Sequence, residues 1–244
     1  MDRSPFPLVA AHTGCDGTPY NTVESFMAGV RLGADIVEVD LRVARDGTVV
    51  LLHDDNPLLR ECTYEQLNEP DVRASIDPLY ERRDIVKLTD VLPLARSCRV
   101  KLNLDIKTPE AIEPVVRLVK RHDAADDVYV TGCSDNITRR HRDLRVVYNT
   151  PTKLPAERQS EYGPFARQMC DIGREGSCYG LNMHRETCRP EIVELAREYG
   201  LAVWVYTVNE AEEMMRFVRC GVDAITTKRV AGLVGLRDGG LSGK

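Results

Sequence analysis

The 244-residue sequence predicts a single α/β domain, residues 1–244, in which eight parallel strands and eight helices alternate and close into a (β/α)8 barrel. Three observations carry that expectation. Short β-rich runs alternate with helical stretches from end to end, the pattern of parallel βαβ units. The rounds number about eight, the count a closed barrel needs. An open doubly wound sheet uses the same alternation, but the chain lacks the Gly-rich phosphate loop that such a sheet commonly carries.

In order, the first strand (8–12) leads to a helix at 22–33, and the second strand (35–43) is extended by a hairpin. There Arg45-Asp46-Gly47-Thr48 is a turn signal and Val49-Val50-Leu51-Leu52-His53 returns along the sheet. A loop of roughly 35 residues (54–88) follows; loops of that length inside a compact domain usually serve binding. The remaining rounds are helix 89–97 with strand 100–107, helix 109–122 with strand 128–132, and helix 135–142 with strand 145–150. Helix 155–171, strand 179–183, helix 189–200, strand 202–208, helix 210–220, strand 224–227 and helix 229–236 complete the series, and the Gly-rich tail 238–244 reads as frayed.

Composition narrows the function. With 43% hydrophobic and 29% charged residues the chain has a sizeable core to bury, which excludes disorder. The 33 Lys and Arg are outnumbered by 38 Asp and Glu and are scattered, so nucleic acid is not an expected partner. No window approaches the ~20 apolar residues of a membrane span, and the start lacks a signal peptide's apolar region, so the expectation is a cytoplasmic protein. The eight cysteines never approach C-x-x-C spacing, which argues for reduced thiols and against zinc.

The chemistry concentrates on two strands. In 36–43, Val37, Val39, Leu41 and Val43 share one face, while Glu38, Asp40 and Arg42 share the other. If the apolar face packs under the helices, two carboxylates point into the barrel, where unpaired charges would cost several kcal/mol each. Arg42 pairing in a structural ion network is one answer. The strand 100–107 repeats the design, with Lys101, Asn103, Asp105 and Lys107 on one face. Barrel enzymes build their sites at the C-terminal ends of strands, so Glu38, Asp40 and Asp105 meet at a common rim. Three carboxylate oxygens suit a hard divalent cation, Mg²⁺ first and Ca²⁺ as the alternative. His12 and His53 end strands on either side of the acidic strand, and imidazoles can give and take protons near neutral pH. His122, His141 and His184 have no acidic companions at suggestive spacing.

These segments resemble a known family. His12-Thr13-Gly14, Asn21-Thr22, Gly33-Ala34-Asp35-Ile36-Val37-Glu38-Val39-Asp40, Asp46-Gly47-Thr48 and His53-Asp54-Asp55 look like the opening of glycerophosphodiester phosphodiesterases, and Leu102–Lys107, Thr207-Val208-Asn209 and Gly221–Thr227 extend the likeness. The resemblance implies a TIM barrel, a small-molecule phosphodiester substrate and a divalent cation on Glu38, Asp40 and Asp105. It further implies His12 and His53 as the acid/base pair, and Lys107 at the phosphate, with Thr13, Trp204 and Tyr206 at substrate-binding positions.

Four positions depart from the family pattern. Thr13 stands where Arg is usual, removing a charge and a planar fork. Tyr20 replaces Glu before Asn-Thr, Asp105 replaces Glu, and Tyr206 replaces Trp before Thr-Val-Asn, although Trp204 lies two residues earlier on the same face. The missing Arg and the run Asp105-Ile106-Lys107-Thr108 also resemble the sphingomyelinase D-type phospholipases, which form a cyclic phosphate. Cyclisation therefore stands beside hydrolysis as an outcome. A catalytically silent barrel that binds a phospho-ligand, or an unrelated barrel enzyme whose acids only form salt bridges, are the remaining alternatives. The loop after His53 and the segment 159–178 are the expected selectors of the leaving group.

Overall fold

A computed structural model describes residues 6–134, 136–154 and 161–241. Its strands are β1 (Leu8–Ala11), β2 (Ile36–Val43), β3 (Val49–Leu51), β4 (Lys101–Ile106), β5 (Val128–Gly132), β6 (Arg145–Asn149), β7 (Gly180–His184), β8 (Ala202–Tyr206) and β9 (Ala224–Thr227). All but β3 run parallel, each beside its sequence neighbour, and β1 pairs with both β2 and β9, closing an eight-stranded barrel. The helices are α1 (Val23–Arg31), α2 (Leu58–Glu61), α3 (Tyr64–Leu67), α4 (Pro70–Ile76), α5 (Leu88–Cys98) and α6 (Ile112–Arg121). They continue as α7 (Ile137–Arg140), α8 (Tyr162–Glu175), α9 (Pro190–Glu198), α10 (Ala211–Cys220) and α11 (Val230–Leu241).

Alternation along each strand separates two environments. Val37, Val39, Leu41, Leu102, Leu104 and Ile106 point outward and join the helices in one continuous apolar layer. Inside the barrel, Ala10, Ile36, Tyr129, Val147, Ala202 and Trp204 form an apolar plug, with the Trp204 ring edge-on to Tyr129 at 4.7 Å between centroids. The polar inward positions lie above this plug, toward the C-terminal ends of the strands, so the core also serves as the floor of a cleft.

The hairpin forms as its turn signal predicts: Gly47 takes φ 84° and the Asp46 carboxylate accepts the Thr48 N–H. The segment 54–88 is not the plain loop its composition suggests. It folds as α2, α3, α4 and a 3-10 turn at Pro78–Arg82, over a small core in which Leu52, Leu59, Leu67, Tyr80 and Ile85 pack on Val50. Helices of four to seven residues complete too few turns to print a 3.6-residue period on the sequence, and they gain their stability from that packing.

Three further expectations are corrected. The helix expected at 135–142 is a single turn, Ile137–Arg140. The one expected at 155–171 runs from Tyr162 to Glu175, with 155–160 outside the described residues. The tail expected to fray is helical through Leu241, continuing α11, and 242–244 lie outside the described residues. Among the described residues no helix is long and apolar enough to cross a membrane.

Candidate active site

Strand register brings the acids together. In the β2–β4 ladder Glu38 stands opposite Asn103, and Asp40 opposite Asp105. One carboxylate oxygen from each of Glu38, Asp40 and Asp105 lies within 4.8 Å of the others. Glu38 and Asp40 are buried, and Asp105 is half-buried. Each carboxylate is held by named partners. Glu38 accepts the Thr13 N–H at 2.9 Å, and the Asn21 amide donates to Asp40 at 2.9 Å while accepting the Asp40 N–H. Asp105 accepts the Thr131 hydroxyl at 3.2 Å. Gly132, at φ 76°, completes this packing, since a Cβ there would run into the Ile106 carbonyl and the Asp105 carboxylate.

The Lys107 ammonium spans Asp40, at 2.7 Å, and Asp105. Burial opposes its charge, but the two carboxylates win and hold the lysine well above its ordinary range. Burial likewise pushes the Asp40 carboxyl up, and the Lys107 charge with the Lys107 and Asn21 hydrogen bonds brings it below the usual carboxylate value. For Glu38 the Thr13 hydrogen bond and the Lys107 charge are not enough. Burial, then repulsion from Asp40 and Asp105, raises it well above its ordinary value of 4.5. Three clustered acids, two of them buried, thus share one lysine, and a doubly positive ion would restore the balance. The donor set is all carboxylate oxygen, which fits a hard cation such as Mg²⁺ or Ca²⁺.

The two histidines flank this cluster. His12 Nδ1 donates to the Thr13 carbonyl at 2.7 Å and lies 3.7 Å from Glu38. That bond fixes Nδ1 as the protonated nitrogen and leaves Nε2 free. Burial lowers the His12 pKa below 6.5, against the opposing pull of the Thr13 carbonyl. His53 is largely exposed; its Nδ1 donates to Asp54 at 2.7 Å, and its backbone carbonyl accepts from Arg42. Arg42, expected as a partner of the acidic pair, turns instead to His53 and Asp55.

Both histidines line two adjoining clefts. The first, of about 570 Å³, runs over the barrel mouth and is walled by Asn103, Asn149, Asn182, His184, Arg185 and Tyr206. The second, of about 680 Å³, lies beneath the 54–88 segment and includes Tyr20, Leu52, Ile76, Leu79, Tyr80 and Lys228.

Of the residues expected at the substrate, Tyr206 lines the first cleft and stands edge-on to His184, with 5.8 Å between ring centroids. Thr13 lies behind the acids, its hydroxyl accepting the Asn21 N–H and its own N–H donated to Glu38. Trp204 is in the apolar plug beneath the cleft. Sequence reading assigns no role to Asn21, which enters only within a family motif, to His184, which lacks an acidic companion at suggestive spacing, or to Asn182 and Lys228. Inward alternation along β7, through Gly180, Asn182 and His184, is the signal that reaches two of them. Asn21 and Lys228 come from loops, where no periodicity points to them.

The sequence profile of the Glycerophosphoryl diester phosphodiesterase family matches residues 12–231. The chain is 25% identical to a glycerophosphodiester phosphodiesterase of Caldanaerobacter subterraneus subsp. tengcongensis, over 96% of this chain and 99% of that one. It is 32% identical to the Mycobacterium tuberculosis protein named "Probable glycerophosphodiester phosphodiesterase 2", over 91% and 87% of the two chains. Its fold matches an Oleispira antarctica phosphodiesterase in complex with the product sn-glycerol-3-phosphate, with a TM-score of 0.77 and 21% identity over 96% and 97% of the two chains. It also matches a Thermotoga maritima glycerophosphodiester phosphodiesterase, with a TM-score of 0.73 and 22% identity over 95% and 98%. With the profile covering 12–231 and a relative 32% identical over most of its length, the chain belongs to the glycerophosphoryl diester phosphodiesterase family.

Proposed function

We propose that the protein cleaves a glycerophosphodiester-like or sugar phosphodiester into an alcohol and a phosphomonoester, with a divalent cation on Glu38, Asp40 and Asp105 and proton transfer by His12 and His53. The observation that carries this reading is the convergence of three carboxylate oxygens within 4.8 Å at a barrel mouth whose two clefts both include His12 and His53. The product complex of the Oleispira relative supports a glycerol phosphate as one half of the substrate. Mg²⁺ is the cation of first choice, and Ca²⁺ the alternative.

When bound, the cation would supply Lewis-acid neutralisation of charge on the phosphoryl oxygens. The chain's own groups do the rest. His12, with Nδ1 committed to the Thr13 carbonyl and its charged form disfavoured by burial, takes the proton of the attacking oxygen at Nε2. His53, oriented by Asp54, gives its proton to the departing alkoxide. Lys107 keeps Asp40 and Asp105 in place at the edge of the cleft. Asn182 directs its amide N–H to Asn149, and the two amides add polar lining to the first cleft. Tyr206 adds an aromatic wall.

Water as the attacking group gives a phosphomonoester, whereas a neighbouring hydroxyl of the substrate gives a cyclic phosphate. The Asp105-Ile106-Lys107-Thr108 run and the neutral Thr13 keep the second outcome in the test. Phosphorus NMR of products from glycerophospho-, lysophospholipid and sugar phosphodiesters, with and without EDTA, distinguishes them. The reading predicts a Mg²⁺-dependent phosphomonoester resonance, and unchanged substrate across the panel would overturn it.

A further inference from the structure

We propose that Lys228 binds the substrate phosphate and that Tyr20 is the positioning residue that aims it. The inference rests on the phosphodiesterase reading above and adds to it a residue outside both the acid cluster and the histidine pair.

Lys107 is matched by Asp40 and Asp105, and Arg185 by Glu213 at 2.9 Å. Lys228 is different: its ammonium donates to the Tyr20 hydroxyl at 2.9 Å and lies 4.8 Å from the centre of the same ring. Among the described residues no carboxylate stands within ion-pair distance of it. Of the acids lining the second cleft, Asp54 pairs with His53 and Asp55 with Arg60, while the Asp77 carboxylate accepts the Leu79 N–H. A phenol holds a cation without neutralising it, so the full charge faces the cleft.

The placement is rigid. The Lys228 N–H donates to the Asn209 amide oxygen at 2.9 Å, and its carbonyl accepts the Asp16 N–H at 2.7 Å. The Tyr20 ring lies over Gly14, where a Cβ would run into it, and its outer face is exposed. The ammonium therefore projects from a fixed backbone into the cleft that also holds His12 and His53, and its charge is felt at His12. Thr13 offers no charge, and its hydroxyl is occupied by Asn21. A phosphodiester monoanion brought between the histidines meets in Lys228 a cation whose charge no carboxylate has cancelled.

The test uses the whole protein with Mg²⁺ and two readouts, phosphodiester kinetics and the calorimetric Kd for inorganic phosphate. Lys228→Met keeps the aliphatic stem and removes the charge. It should raise KM and the phosphate Kd by about 10- to 100-fold with kcat within about threefold, the pattern of lost ground-state binding. Lys228→Arg should recover most of both losses, and Tyr20→Phe should fall between. Added salt should weaken phosphate binding by the wild type more than by Lys228→Met. KM and phosphate Kd within about twofold of wild type in Lys228→Met would overturn the proposal. Absence of turnover in the wild type would overturn the phosphodiesterase reading instead, and the phosphate Kd would still decide the role of Lys228.

Discussion

Replacing Glu38 by Gln should act in opposite directions on the metal-free and the metal-loaded protein. At an effective dielectric of about 20, two carboxylate charges at the 4.8 Å limit within which these oxygens cluster repel by roughly 3.5 kcal/mol. Glu38 faces two such charges, Asp40 and Asp105, and the single Lys107 ammonium offsets about one of them. Gln keeps an oxygen to accept the Thr13 N–H and removes the charge, so in EDTA near pH 8 the variant gains on the order of 3 kcal/mol. For a chain of this size that is about 6–12 °C in Tm. The sign with pH follows from the raised Glu38 pKa. The wild-type contribution is complete below the ordinary value of 4.5 and is lost as pH rises through the folded value, so the advantage of Gln shrinks toward about pH 5. With Mg²⁺ the order reverses, because cation binding stabilises the wild type while the variant has lost one of three ligands. Thermal unfolding at two pH values, with EDTA or Mg²⁺, reads all four states. A variant no more stable than wild type in EDTA at the higher pH, with an unchanged Mg²⁺ response, would refute the reasoning.

Three other outcomes follow from the same geometry. His12→Ala and His53→Ala should each lower kcat by at least about 100-fold while keeping the wild-type rise of Tm with Mg²⁺; near-normal turnover in both would remove the acid/base assignment. With His12 neutral as the proton acceptor, activity should be present above its pKa and lost as pH falls through it, so the acid limb of kcat/KM should have its midpoint below 6.5. A limb above that value would point to another group. Gly132→Ala should destabilise the fold and displace Asp105, because the position combines φ 76° with a close approach to the Ile106 carbonyl; a fully stable, fully active variant would contradict that packing.

The strand alternation of 36–43 and 100–107 made the acid cluster legible, since inward and outward residues differ at every step and parallel pairing aligns them. The hairpin was legible for the same local reason, Gly47 in its turn. What escaped the sequence depended on contacts between distant segments. Arg42 shares the acidic face of β2 in the sequence, yet the chain after β3 brings Asp55 and the His53 carbonyl to it. Trp204 and Tyr206 occupy the same face of β8 two residues apart, and only the height of the apolar plug separates core from cleft. Lys107, expected at the phosphate, also has Asp40 and Asp105 within reach of its ammonium, which sequence spacing alone does not reveal.

Titrating EDTA-treated protein with Mg²⁺ in a calorimeter, and repeating the titration on Asp105→Asn, tests the central claim most directly. The account predicts one cation per chain in the wild type, a large loss of affinity in the variant, and phosphodiester cleavage that returns with the bound ion. Equal binding by both proteins, or full turnover in chelator, would contradict it.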